Sequence, residues 1–218
     1  MNLLAIDTAC SVLSIAVAKD EDILYTETEA GIKHSELVMS YIDSQMKKAS
    51  LKPSDLDGVL CMGGPGSFTG LRIGYSIAKG LALSLSIPFM AVPTLDCIAF
   101  SHNDHELVLP VIQAGKNSWF FTIFKNGSRL KQDADVTVDQ ITPELKNFSG
   151  IEKIILTGPG AALLYESLPQ ETVKNIVLDN KTCGYAKELI LITKKNNLLG
   201  NFNQELLYSG PEYVRNAN

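Results

Sequence analysis

The residues best suited to chemistry lie in three short segments of the first half of the chain. Asp7-Thr8 ends the apolar run Leu3 to Ile6. An acidic residue where a buried strand stops can face a ligand crevice. It can equally cap a turn by accepting backbone N–H bonds. The second segment is Gly63-Gly64-Pro65-Gly66-Ser67-Phe68-Thr69-Gly70-Leu71-Arg72-Ile73-Gly74. It follows an apolar run and opens a helix, so its amides can form an anion-binding nest. Asp7, Thr8, Gly64, Gly66 and Ser67 are therefore the candidate nucleotide or phosphate contacts. No Lys-Ser/Thr pair follows the last glycine, so the segment is not a Walker A loop. The third segment is His34-Ser35-Glu36. A metal-binding histidine pair would stand four residues apart on one helical face, but the residue four after His34 is Val38. His102 and His105 lie in a polar stretch with Asn103 and Asp104 and read as surface histidines. Ser67 lacks the Gly-x-Ser-x-Gly setting of a nucleophile elbow. No catalytic residue and no metal ligand set is expected.

Two helices position these segments. One is predicted over 35–49, with Leu37, Val38, Tyr41, Ile42, Gln45 and Met46 on one stripe. The other is predicted over 71–85. Gly70 and Gly74 stand four apart and leave a flat face, continued by Ile77, Ala78, Leu81 and Leu85. Small residues at that spacing let helices approach closely, so packing or partner docking outranks phosphate binding for this helix. Arg72 projects from another side, where it can pair with a carboxylate. The expected partner face is His34, Leu37, Val38, Tyr41, Ile42, Gln45, Gly70, Gly74, Ile77, Ala78 and Leu81. Leftover apolar side chains on such helices mark an interaction patch, and a four-helix contact would bury on the order of 1,600 Å². Gly74→Leu is expected to block pairing while leaving the fold largely intact.

The remaining elements follow from patterning. Strands are predicted over 3–6, 12–18 and 23–28, spaced as an antiparallel meander, then 59–62 and 89–92, with Thr94 capping a short helix to Phe100. The second half repeats the order. Strands are predicted over 107–113, 118–124 and 129–136, with a hairpin turn at Asn126-Gly127. A helix over 139–148, a strand over 154–157, a helix over 161–168, a strand over 175–178 and a helix over 185–195 complete it. A duplicated βββαβα unit is the plan of a two-lobed α/β, actin-like and ribonuclease-H-like fold. The expected first lobe is residues 1–102, the smaller second lobe 103–200, and the tail 201–218 returns to the first lobe.

Bulk composition narrows the function classes. Of 218 residues, 45% are hydrophobic and 20% charged, with a net charge of −5. An acidic chain is poorly suited to gripping a phosphate backbone, and the densest basic runs are only Lys47-Lys48 and Lys194-Lys195. Cys10, Cys61, Cys97 and Cys183 are scattered without a CxxC pair, as in a cytoplasmic protein with reduced thiols. The N-terminus lacks signal-peptide features, and the apolar stretch Leu81 to Val92 is interrupted and too short for a bilayer. No membrane contact is expected.

Together, Leu3-Leu4-Ala5-Ile6-Asp7-Thr8, His34-Ser35-Glu36-Leu37, the block Gly64 to Gly74, Pro93-Thr94-Leu95 and the ending Pro211-Glu212-Tyr213-Val214-Arg215 resemble the bacterial TsaB (YeaZ) family. The likeness is strong over 2–99 and at the tail, and thin over 101–200. It implies a non-catalytic actin-like subunit that pairs through its two first-lobe helices with the paralogue TsaD. TsaD carries the metal and transfers a threonylcarbamoyl group to the adenosine beside the anticodon in tRNAs reading ANN codons. A third protein, the ATPase TsaE, joins the complex. ATP or ADP and the metal are expected in those partner subunits, tRNA contact only through the complex, and a homodimer when the chain is alone. One departure stands out: family members often carry Asp-Ala-Arg early in the second lobe, where this chain has Gln113-Ala114-Gly115-Lys116. That weakens the rival reading of an autonomous ATPase or phosphotransferase. A peptidase, the other rival, is opposed by the missing histidine pair.

Overall fold

A computed structural model describes residues 1–31, 33–180, 183–201 and 204–214, with Asn201 by its backbone alone. Arg215 of the C-terminal motif lies outside the described residues. The chain divides into two compact units, one of Met1–Thr94 with Cys183–Glu212, the other of Leu95–Thr182 with Tyr213–Asn218.

The first three strands, β1 (Leu3–Asp7), β2 (Val12–Lys19) and β3 (Asp22–Glu29), form the expected antiparallel meander. After α1 (His34–Lys48), β4 (Gly58–Gly64) pairs parallel with β1. After α2 (Phe68–Leu85), β5 (Phe89–Pro93) pairs parallel with β4, giving the order β3-β2-β1-β4-β5. Burial explains the composition: β1 and β4 are buried throughout and almost wholly apolar or glycine, while β3 alternates as an edge strand should. Ser67 caps α2, its hydroxyl accepting from the Gly70 N–H at 3.2 Å, and Ser86 closes the helix in the left-handed region. Val38, Ile42 and Met46 of α1 and Tyr75, Ala78 and Ala82 of α2 form one core with Leu4, Ile6, Ile15, Val59 and Phe89 of the sheet.

Next come α3 (Thr94–Phe100), β6 (Leu107–Gln113), β7 (Trp119–Phe121), β8 (Phe124–Lys125), β9 (Ser128–Arg129) and β10 (Ala134–Val136). They are followed by α4 (Val138–Lys146), β11 (Ile154–Thr157), α5 (Ala161–Ser167), β12 (Ile176–Asp179) and α6 (Ala186–Lys195). The two strands expected over 118–124 and 129–136 are each divided. Both β7 and β8 run antiparallel to β6, but Thr122 steps out of the ladder and donates to the Lys131 carbonyl at 2.7 Å. Arg129 sits at the break, its guanidinium paired with Asp96 and Asp133. Asn126 and Gly127 have φ of 50° and 73°, as the hairpin turn requires.

The expected division after residue 102 is displaced, because each half sends its last helix to the other half's unit. Ala99 of α3 clusters with Val108, Phe124 and Ile155, so the second unit begins at Leu95. Helix α6 was expected in the second lobe, yet it packs on β1, β2 and β4. Buried Ala186, Leu189 and Ile190 cover the face of the first sheet that α1 and α2 leave open. A sheet with two apolar faces needs a layer on each, and α6 supplies the second. Leu206 and Leu207 also pack on the first core, and the first unit extends to Glu212.

Candidate functional site

The end of β1 is closed by the chain itself. Asp7 is buried; one carboxylate oxygen accepts the Ala9 N–H at 3.0 Å, and the other accepts the Tyr185 N–H at 2.8 Å and faces the Ser14 hydroxyl at 3.5 Å. Burial raises its pKa above the ordinary aspartate value, against the lowering effect of the Tyr185 and Ala9 bonds, the charge of His34 and the Ser14 hydroxyl. Gly184 makes this closure feasible: a Cβ there would lie 2.2 Å from the Ser14 hydroxyl oxygen. The Tyr25 hydroxyl bonds the Gly184 carbonyl at 2.8 Å, and the Gly184 N–H donates to Glu27 at 2.8 Å. Asp7 thus acts as an internal staple between β1 and the start of α6, and its oxygens are not arranged to hold a metal or phosphate.

The glycine-rich segment is in part bonded from within. The Ser67 N–H donates to the Ala9 carbonyl at 2.7 Å, and the Leu71 N–H to the Ser67 carbonyl at 2.8 Å. A Cβ at Gly66 would lie 2.5 Å from the Ala9 carbonyl oxygen, and one at Gly64 would lie 2.3 Å from that of Glu212. Thr8 is buried and donates to the Gly70 carbonyl at 2.7 Å. The five expected phosphate contacts, Asp7, Thr8, Gly64, Gly66 and Ser67, therefore come together, but as a self-bonded turn. Their glycines serve backbone close approach.

The two helices present different faces from those expected. Gly70 and Gly74 both press on Thr8: added Cβ atoms would lie 2.0 Å from its carbonyl oxygen and 2.6 Å from its hydroxyl oxygen. Gly70, Gly74 and Ala78 are thus interior, not part of a partner face. On α1, His34, Val38, Ile42 and Gln45 are buried as well, and His34 Nε2 has no hydrogen-bond partner among the described residues. The physical reason is the sheet: the glycine–alanine stripe of α2 seals against β4, β5 and β1, and the Val38, Ile42 and Met46 side of α1 against β2 and β3. Leu37, Tyr41, Ile77 and Leu81 are half-buried along the flank. The accessible face lies one step around. Ser35, Phe68, Thr69, Arg72, Ile73, Ser76 and Ile77 line a mostly apolar depression of about 460 Å³. Phe68 is 52% exposed, with the Arg72 guanidinium 3.7 Å from its ring centroid, and Met39 of α1 is 51% exposed. Ser76, Gly80 and Ser84 follow at four-residue steps, all exposed. That second small-residue stripe is written in the sequence as plainly as Gly70-x3-Gly74, and sequence reasoning passed over it.

In the second unit the corresponding strand end is neutral. The Gln113 N–H donates to the Pro159 carbonyl at 2.7 Å, and its side-chain amide donates to the Gly115 carbonyl at 3.2 Å. His102 pairs with Asp179 at 2.9 Å, and Thr157 donates to the same carboxylate at 3.2 Å. His105 bonds Asp104 at 2.8 Å. Among the described residues, no three His, Cys, Asp or Glu side chains converge in a way that could hold a metal, and no helix is long and apolar enough to cross a membrane.

Known proteins place this architecture. The family model described as TsaD, tRNA N6-adenosine threonylcarbamoyltransferase, matches residues 25–197. The tRNA threonylcarbamoyladenosine biosynthesis protein TsaB of Bacillus subtilis (strain 168) is 36% identical over 132 residues, 58% of this chain and 57% of that protein. The match thus spans little more than half the length of that curated relative. YeaZ from Pseudomonas aeruginosa superposes with a TM-score of 0.82 at 22% identity, over 98% of this chain and 99% of that one. A Bacteroides thetaiotaomicron protein with an actin-like ATPase fold superposes with a TM-score of 0.50 at 11% identity, over 88% and 95% of the two chains. With its two α/β units built on one element order, this chain has the actin-like fold, and it belongs to the TsaD family, where it stands with the TsaB (YeaZ) proteins.

Proposed function

We propose that this chain is a non-catalytic partner subunit of a TsaD-type threonylcarbamoyltransferase, needed for the threonylcarbamoyladenosine modification of the adenosine next to the anticodon in tRNAs reading ANN codons. The observation that carries this reading is the contrast within the first unit. Of the groups that could do chemistry, Asp7 and Thr8 are held by the chain's own bonds, and the glycine-rich turn is tied to them through the Ser67, Gly70 and Leu71 amides. The accessible side of α1 and α2 instead offers an aromatic–arginine pair beside an apolar depression. Aromatic and arginine side chains are over-represented among residues that dominate binding energy. The docking face is accordingly Ser35, Met39, Phe68, Arg72, Ile73, Ser76 and Gly80, with Leu37, Tyr41, Ile77 and Leu81 at its margin.

In this reading the metal and the nucleotide belong to partner subunits, including a TsaE-type ATPase. The net charge of −5 favours tRNA contact made through the complex rather than by this chain alone. The same face joins two copies when the partner is missing. Co-purification with the TsaD-type subunit, then a modification assay with and without this chain, tests the reading. Modification that proceeds at full rate without the chain would overturn it. Light scattering of the free protein tests the homodimer, and a strict monomer at high concentration rules it out.

A further inference from the structure

Beyond α6 the chain grips the first unit at four points. Leu199 sits against the start of β4, where a Cβ on Gly58 would lie 3.1 Å from its Cδ1. Gln204–Tyr208 forms a short 3-10 turn, with Leu206 and Leu207 packed on the core that α2 and Phe89 share. Lys79, midway along α2, donates to the Ser209 carbonyl, its ammonium 5.4 Å and 5.5 Å from the ring centroids of Tyr75 and Phe89. Burial holds the Lys79 pKa below the ordinary lysine value. The Glu212 N–H donates to the Gly63 carbonyl at 2.8 Å, and the Glu212 carbonyl occupies the space a side chain at Gly64 would need.

These contacts are unequal in consequence. Edge strand β5 needs a cover, and Leu206 and Leu207 supply one. The Lys79 and Glu212 bonds do something else: they tie one segment to the middle of α2 and to the turn that launches it. Helix α2 meets Thr8 through Gly70 and Gly74 in its first half, while Ala78 and Ala82 carry its inner face on along the core. From Lys79 onward the tail adds a second hold, beside the packing of Ala82 and Leu85 on the core.

We propose that Gln204–Glu212 is a clasp that sets the seating of α2. The last part of the chain and the outer α1/α2 face then form one mechanical unit, and loosening the clasp degrades that face without opening the sheet. The local part of the inference stands on geometry alone; its consequence for docking rests on the function proposed above. Segments stabilised by few tertiary contacts open locally, ahead of global unfolding. Lys79→Met keeps the aliphatic stem and removes the ammonium, and Leu206→Ser with Leu207→Ser loosens the same segment at a second point.

Hydrogen exchange on the full chain is the test. In both variants, amides of 79–85 and 63–67 should exchange roughly tenfold faster while β1 and β2 keep their rates. Lys79→Arg should restore protection. Unchanged exchange in α2, or acceleration spread evenly through the sheet, overturns the clasp. Capture of the TsaD-type subunit is measured on the same variants. Faster local exchange with weakened capture supports the whole proposal. Faster local exchange with full capture upholds the clasp and instead overturns the docking face.

Discussion

Three glycines of one helix lead different lives. Gly70 and Gly74 lie on the side of α2 that meets Thr8, with no room for a methyl group, whereas Gly80 is exposed, with nothing within 4 Å of an added Cβ. The first two are there because backbone must meet backbone inside the unit. Nothing inside the unit explains the third, and an exposed mid-helix glycine costs stability relative to alanine. Spacing alone does not say which glycine serves the core and which stays exposed; the sheet beneath decides.

The largest effect should come from violating the sealed side. Gly74→Leu should lower unfolding free energy by roughly 3 kcal/mol or more, because overpacking against Thr8 forces β1 and α2 apart. Urea denaturation measures this, and a variant with native stability would mean the helix face is misassigned. This reverses the expectation that the substitution would spare the fold.

Asp7→Ala comes next. It leaves the Ala9 and Tyr185 N–H groups and the Ser14 hydroxyl without an acceptor, for a loss of about 2–3 kcal/mol. Its pH signature is specific. Because burial raises the folded pKa of Asp7, the folded state holds a proton that the unfolded chain releases earlier. The associated stability is full below the ordinary aspartate value and fades as pH rises through the folded value. The urea midpoint of the wild type should fall across that window, and the slope should flatten in Asp7→Asn. Identical slopes in the two proteins would reject the raised pKa.

On the open side, Phe68→Asp should change stability by no more than about 1 kcal/mol while weakening capture of the TsaD-type subunit roughly 30-fold. Titration calorimetry beside a melting curve separates the two readouts. The smallest effect sharpens the contrast most. Gly80→Ala should raise stability by about 0.5–1 kcal/mol through lost unfolded-state freedom. If it also weakens capture, the glycine exists for close approach of a partner helix. If capture is untouched, the stripe of Ser76, Gly80 and Ser84 is only a solvated face.

Much of the architecture was legible along the chain. The ranges of β6 and β11 match their expected spans, and the meander, the hairpin at Asn126-Gly127 and the order of elements in both halves follow from alternation and turn residues. The broken strands around Arg129 were not legible, because the break is set by a guanidinium reaching Asp96, 33 residues away. The site was half legible. Asp7, Thr8 and the glycine-rich turn do come together, but the bonds that Ala9 and Ser67 accept from the Ser67, Gly70 and Leu71 amides are not written in the spacing. The partner face was sought on the most apolar stripe, which the core had first claim to.

Residue types and their periods suffice for what is local: where a strand or helix forms, where a glycine or an Asn-Gly pair bends the chain, and which family writes such segments. Those depend on backbone sterics and on neighbours three or four positions away. Which side of α2 is covered, why Asp7 is silent, and that α3 and α6 are traded between units depend on contacts between residues far apart in sequence, such as Asp7 with Tyr185 and Gly63 with Glu212. A helix with two usable faces is ambiguous until a sheet buries one of them, and only the folded chain makes that choice.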